Sequence, residues 1–304
     1  MSELLVKKIQ ELKRKRKAII LAHNYQLPEI QDIADYIGDS LELSRKATQT
    51  DAEVIVFCGV HFMAETASIL SPNKIVLMPD INAGCPMANM INAENLRSLK
   101  KGHPEALVVA YVNTTAEVKA ESDICCTSAN AVKVIQSLND KEIIFVPDKY
   151  LGQYITSQTG RKMVYWEGYC PVHIKILAED ILRQKQKYPH AEVMVHPECT
   201  PEVIKLADVV RSTSGMCKYA KESKTREIIV ATEIGIIYRL QKENSDKKFY
   251  PASELAICPN MKLTNLEKVL WTLEDLKNEV KVPDNIRVKA REAVDKMLTL
   301  SSKD

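Results

Sequence analysis

Three ten-residue stretches decide how this chain is read: ILAHNYQLPE at 20–29, VVAYVNTTAE at 108–117 and VMVHPECTPE at 193–202. Each carries an apolar, strand-like run into a polar ring, at His23, Tyr111 and His196. Twelve residues on from each ring stand Asp35, Asp123 and Asp208. Seventeen residues on stand Ser40, Ser128 and Thr213, in the settings GDSLEL, CTSANA and RSTSGM. A third strand, a helix and a fourth strand follow in each copy, and then a cysteine: Cys85, Cys170 and Cys258, spaced 85 and 88 residues apart. Features aligned at fixed spacing in three copies mark an internal triplication.

Outside these stretches, apolar runs alternate with amphipathic ones. Examples are AIILA (18–22), VIVFC (54–58), KIVLM (74–78), EIIFV (142–146), KMVYW (162–166) and EIIVA (227–231). Such alternation argues for parallel strands with covering helices. The expected fold is α/β: three pseudo-threefold-related, three-layer αβα domains with small parallel sheets around a central active site. The expected units are 18–100 (with an N-terminal helix over 2–17), 101–185 and 186–262, with C-terminal helices over 263–304 packing on the repeats. Ligands of open α/β sheets bind beyond the carboxyl ends of the strands. The repeated ring residues sit at such ends. The repeated hydroxyls open the following helices, where they are expected to cap a helix N-terminus beside N–H groups able to hold an anion.

Composition excludes several classes. Of 304 residues 45% are apolar, enough for a sizeable core, and 42 basic residues nearly balance 40 acidic ones. A net charge of +2 leaves no electrostatic footprint for nucleic acid or an anionic membrane. No apolar run approaches the roughly 20 residues of a membrane span. Met1 to Lys17 is charged, with no apolar core of a signal peptide, so a cytoplasmic location is expected. The basic run Lys13 to Lys17 reads as a solvated helix face.

Eight cysteines in such a chain point to metal ligation, catalysis or buried thiols rather than disulfides. Cys58, Cys125 and Cys126 lie in apolar runs and read as core; Cys199 and Cys217 are left unassigned. Cys85, Cys170 and Cys258 share a Cys-Pro context (GCPMAN, YCPVH, ICPNM) and would meet near the axis of three matched units. Three thiolates suit an iron–sulfur cluster with one iron free of protein. A three-cysteine catalytic zinc and no metal at all are the alternatives. The surrounding rim offers His23, Asn24, Tyr25, Tyr111, Asn113, His173, His196 and Glu198 to a small anionic substrate. Tyr25 and Glu198 are the candidate acid/base groups.

The segments LAHNYQLPEIQDIAD, YIGDSLELSRKA, GCPMANM, AYVNTTAEVKAESDI, CTSANA, EGYCPVH, VHPEC and AICPNMK resemble the quinolinate synthase family, from about residue 18 to residue 270. The resemblance implies a [4Fe–4S] cluster, one per chain, on Cys85, Cys170 and Cys258. It implies condensation of iminoaspartate (iminosuccinate) with dihydroxyacetone phosphate to quinolinate, phosphate and two waters, in de novo NAD synthesis. Substrate-binding residues carry over motif by motif: His23 and Ser40, Tyr111, Val112 and Asn113, Ser128, then His196, Pro197, Glu198 and Thr213; His173, from the rim, is a further expected substrate-binding residue. Tyr25, Glu198 and His23 take the catalytic roles. Iminoaspartate hydrolyses readily, so handover from an aspartate oxidase or an aspartate dehydrogenase is expected. An iron–sulfur hydro-lyase acting on another dicarboxylate is the alternative. One departure stands out: some relatives carry Cys-x-x-Cys near the last ligand, where this chain reads Cys258-Pro259-Asn260-Met261.

Overall fold

The computed structural model describes residues 2–138 and 140–301. Helix α1 (Ser2–Lys15) leads into β1 (Ala18–His23), α2 (Pro28–Ile33), β2 (Tyr36–Gly38), α3 (Ser40–Gln49), β3 (Val54–Cys58), α4 (His61–Leu70) and β4 (Ile75–Leu77). After α5 (Ala93–Gly102) the pattern repeats as β5 (Leu107–Tyr111), α6 (Ala116–Ala120), β6 (Ile124–Cys126), α7 (Ala131–Ser137), β7 (Ile143–Val146), α8 (Lys149–Thr159) and β8 (Val164–Tyr165). After α9 (Ala178–Lys187) it returns as β9 (Glu192–Val195), α10 (Pro201–Ile204), β10 (Val209–Val210), α11 (Thr213–Glu222), β11 (Glu227–Ala231), α12 (Ile236–Glu243) and β12 (Lys248–Pro251). Helices α13 (Leu266–Asp275) and α14 (Asp284–Ser301) follow.

The strands form three four-stranded parallel sheets of one topology: second, first, third, fourth. The first and third strands are interior and bury both faces, so they read as unbroken apolar runs; VIVFC of β3 is buried at every position. The chain reverses its winding between the first and third strands. That switch point is where a crevice opens at the carboxyl ends, and the ring residues and cysteine loops lie there.

Two backbone devices recur in all three units. The first explains the repeated aspartate. The carboxylates of Asp35, Asp123 and Asp208 accept the N–H of Ile20, Val108 and Val193 at 2.8, 2.8 and 2.7 Å. Their own N–H groups donate back to the carbonyls of the same three residues. Each aspartate thus pins the chain entering the second strand to the first. The second device ties down the cysteine loops. His61, Lys149 and Ile234, just past the third strands, donate their N–H to Ala83, Gly168 and Ala256 at 2.8, 2.9 and 3.0 Å. Each acceptor lies two residues before a cysteine.

The tails pack outside the sheets. Helix α1 lies on α13 and β1, while α14 lies on α6, β6 and α4. Arg16, within the basic run, donates to the carbonyls of Leu273 and Glu274 at 3.1 and 2.7 Å. A cation is favoured there, at the C-terminal end of α13. No helix among the described residues is long and apolar enough to cross a membrane.

Candidate active site

Each repeated cysteine opens a tight turn. Pro86, Pro171 and Pro259 follow directly, and 3₁₀ turns follow at Met87–Met90, His173–Lys175 and Asn260–Lys262. The proline ring presets a helical φ and has no N–H to satisfy. The next two N–H groups are thereby aimed back at the sulfur. Met87 and Ala88 serve Cys85, Val172 and His173 serve Cys170, and Asn260 and Met261 serve Cys258. Burial is nonetheless the larger effect. It pushes the Cys85 thiol up to about 12 and the other two above their ordinary value, partly offset by those N–H groups. Three protonated thiols, each with two N–H donors in place, suit a cationic metal core that would hold them as thiolates.

The three cysteines line one cavity. His23, Tyr25, Ser40, Tyr111 and Asn113 line it too, as do Ser128, His173, His196, Glu198 and Thr213. Val112 and Pro197 stand beside it: the Val112 N–H pairs with the Cys126 carbonyl, and Pro197 lines a neighbouring cavity. Among the described residues, only Cys170, His173 and Glu198 bring three metal-type donor atoms within 4.8 Å of one another. The three cysteine sulfurs are therefore spread wider than a single zinc ion, with Zn–S bonds of about 2.3 Å, would hold them. A four-iron core spans more space.

A chain of polar contacts crosses the cavity. Tyr111 Oη donates to Glu198 Oε1. Glu198 Oε2 lies 2.9 Å from His173 Nδ1, a close contact without hydrogen-bond alignment. His173 Nε2 lies 2.8 Å from Thr232 Oγ1, which in turn lies 2.5 Å from Tyr25 Oη. Burial alone would raise the Glu198 carboxyl, but His173, His196 and the Tyr111 hydroxyl hold it down to about 2. Glu198 is therefore a carboxylate at any neutral pH. Burial and the Glu198 charge push both Tyr25 and Tyr111 well above their ordinary value.

His23 and His196 share one geometry. Each accepts at Nδ1 the N–H of the residue two positions on, Tyr25 at 3.2 Å and Glu198 at 3.3 Å. Burial lowers both imidazoles to about 3, so the rings are neutral. With Nδ1 accepting, the proton sits on Nε2, and each ring is a hydrogen-bond donor. The His196 ring stacks on His173 at 4.6 Å, and the His23 ring meets Tyr25 edge-on at 4.6 Å.

The capping expectation needs correction. Asp39, not Ser40, caps α3, accepting from Leu41 and Glu42 at 3.0 Å. Ser212, not Thr213, caps α11, accepting from Gly215 at 3.2 Å. In the middle unit Asn130 precedes α7 and Ser128 lies in the turn before it. The cap is made by the neighbouring residue, which leaves the Ser40 and Thr213 hydroxyls, one residue inside their helices, on the cavity wall. Thr213 Oγ1 accepts from Asn24 Nδ2 at 2.9 Å, and Asn24 Oδ1 accepts from Arg239 at 2.7 Å.

Sequence reasoning missed Thr232, Glu233 and Lys262. The first two follow β11 as Gly59-Val60 follow β3 and Pro147-Asp148 follow β7. The three copies agree in position but not in residue type, so the repeat carried no signal. Cys58, Cys125 and Cys126 are fully buried core thiols, as expected, and Cys199 and Cys217 are buried as well.

Comparisons with known proteins agree with this geometry. A family model described as "Quinolinate synthetase A protein" matches residues 7–299. A protein of Dehalococcoides mccartyi named quinolinate synthase is 62% identical, over 97% of this chain and 98% of its own length. Methanosarcina acetivorans has a protein named quinolinate synthase 1 that is 56% identical over 98% of both chains. One of Thermodesulfovibrio yellowstonii, named quinolinate synthase, is 55% identical over 98% of both. A match over nearly the whole chain, on a triplicated α/β frame that brings three Cys-Pro turns to one cavity, places this chain in the quinolinate synthetase A family.

Proposed function

We propose that the chain condenses iminoaspartate with dihydroxyacetone phosphate to give quinolinate, phosphate and two waters, a step of de novo NAD synthesis. Cys85, Cys170 and Cys258 would hold a [4Fe–4S] cluster. The observation that carries the proposal is the lining of one cavity by all three cysteines together with the chain from Tyr111 to Tyr25. When bound, such a cluster supplies a Lewis acid at the iron that no thiolate covers.

The remaining chemistry falls to side chains. His23 and His196 offer neutral N–H donors, and Ser40, Ser128 and Thr213 offer hydroxyls, to the carboxylate and phosphate oxygens of the substrates. Buried Asn113 Oδ1 has no hydrogen-bond partner among the described residues and is an acceptor for the N–H of the imine or its enamine tautomer. Tyr25 is the proton donor and acceptor at the reacting carbons. A proton it gains or gives has a hydrogen-bonded path through Thr232 to His173, which lies beside the Glu198 carboxylate. The buried lining of the cavity limits the water that reaches the imine. Free iminoaspartate hydrolyses in water, which favours handover from an aspartate oxidase or dehydrogenase. A reducing cytoplasm suits eight free cysteines.

The test uses anaerobically prepared holoenzyme supplied with both substrates. Glu198→Gln and Tyr25→Phe should keep their iron and sulfide and lose quinolinate formation by about 10²-fold or more. Wild-type rates in either variant would remove that residue from the mechanism. Turnover of a dicarboxylate without any triose phosphate would favour a hydro-lyase instead.

A further inference from the structure

The three cysteine turns are alike in backbone but not in support. Two residues past each third strand stand Val60, Asp148 and Glu233, each 37 residues beyond the repeated ring residue. The Val60 side chain offers no polar atom. Asp148 turns its Oδ1 to the N–H groups of Tyr150 and Leu151 and caps α8. Glu233 instead reaches the cysteine: its Oε1 accepts the backbone N–H of Cys258 at 3.1 Å. Its Oε2 accepts the N–H of Gly235 at 2.8 Å.

Glu233 is fully buried and pairs with Lys262, whose Nζ lies 2.9 Å from Oε1 and 3.2 Å from Oε2. The same Nζ donates to the carbonyl of Tyr25, in the first unit. The fit is tight. A Cβ on Gly235 would stand 2.6 Å from Lys262 Nζ and 2.6 Å from the Tyr25 carbonyl oxygen. One ion pair therefore joins the loop after β1, the loop after β11 and the turn that carries the third cysteine.

We infer that Glu233 and Lys262 form a latch that positions the third cluster ligand and locks its turn onto the segment bearing Tyr25. The inference rests on the cluster reading above. Both are positioning residues: Glu233 orients the ligand through its backbone N–H, and Lys262 fixes the Tyr25 main chain. Groups that orient a metal's ligands typically change its affinity about 10–100-fold when altered.

The test measures anaerobic release of iron from holoenzyme to a chelator, with circular dichroism followed in parallel. Glu233→Leu, which removes both the acceptor for the Cys258 N–H and the charge paired with Lys262, should speed release about 10–100-fold. Lys262→Met should do the same, and the double variant should be no faster than the faster single, because the pair acts as one device. Three results overturn the latch: release within about twofold of wild type in the singles, multiplicative effects in the double, or release that only follows global unfolding. A wild-type protein that takes up no iron and sulfide overturns the cluster reading itself and the latch with it. A stable wild-type cluster with unaffected variants overturns the latch alone.

Discussion

His23 and His196 hold their imidazoles neutral by burial, each lowered to about 3. In the unfolded chain the same groups titrate near pH 6.5. Between those values the unfolded state binds the extra protons. Stability on their account is therefore present above about pH 6.5 and is lost as pH falls toward 3. Each histidine contributes at most roughly 1.4 kcal/mol per pH unit inside the window. Denaturant unfolding of the reduced, metal-free protein should thus show falling stability from about pH 7 to about pH 5. His196→Gln should flatten that slope by up to roughly 1 kcal/mol per pH unit. An unchanged slope would mean that the His196 ring is already charged or hydrated in the folded protein. Glu198, lowered to about 2 by the histidines and the Tyr111 hydroxyl against the effect of burial, adds a separate loss only as pH falls below about 4.5.

Among the elements, the repeated aspartates are the clearest case of a motif with a structural job. Each holds an N–H of the first strand through a charged acceptor. Asp123→Ala removes that acceptor from the Val108 N–H and should cost about 1–3 kcal/mol in denaturant unfolding. Asp123→Asn keeps an oxygen there and should cost less. Equal costs for the two would show that the hydrogen bond to Val108 is not what matters. The interior strands were legible in the sequence because parallel strands buried on both faces leave apolar runs such as VIVFC. The edge strands β2, β6 and β10 were placed by the repeat, ahead of each hydroxyl, but their bounds were not legible, because they are two or three residues long with no hydrophobic period to find. Of the site, the parts that repeat were legible: the ring residues, the hydroxyls and the cysteines. Thr232, Glu233 and Lys262 were hidden because they belong to one unit only. Helix caps were misread by one residue, since Asp-Ser and Ser-Thr pairs each present two capping types in succession and only packing decides which one caps.

In the molecule as a whole, three copies of a small α/β unit make one site that no copy makes alone. The cysteines come one from each repeat, and the chain from Tyr111 through Glu198, His173 and Thr232 to Tyr25 also crosses between repeats. The symmetry is broken where chemistry needs it. The ring positions are His, Tyr and His, and the residues two past the third strands are Val60, Asp148 and Glu233. The central claim is that three cysteines, one per repeat, hold a single iron–sulfur cluster. The direct measurement is iron, zinc and acid-labile sulfide per chain after anaerobic purification, on wild type and on Cys85→Ala, Cys170→Ala and Cys258→Ala. The account predicts about four iron and four sulfide in wild type, and loss of both in all three variants. Zinc without sulfide, or an iron content untouched by any one of the three substitutions, would contradict it.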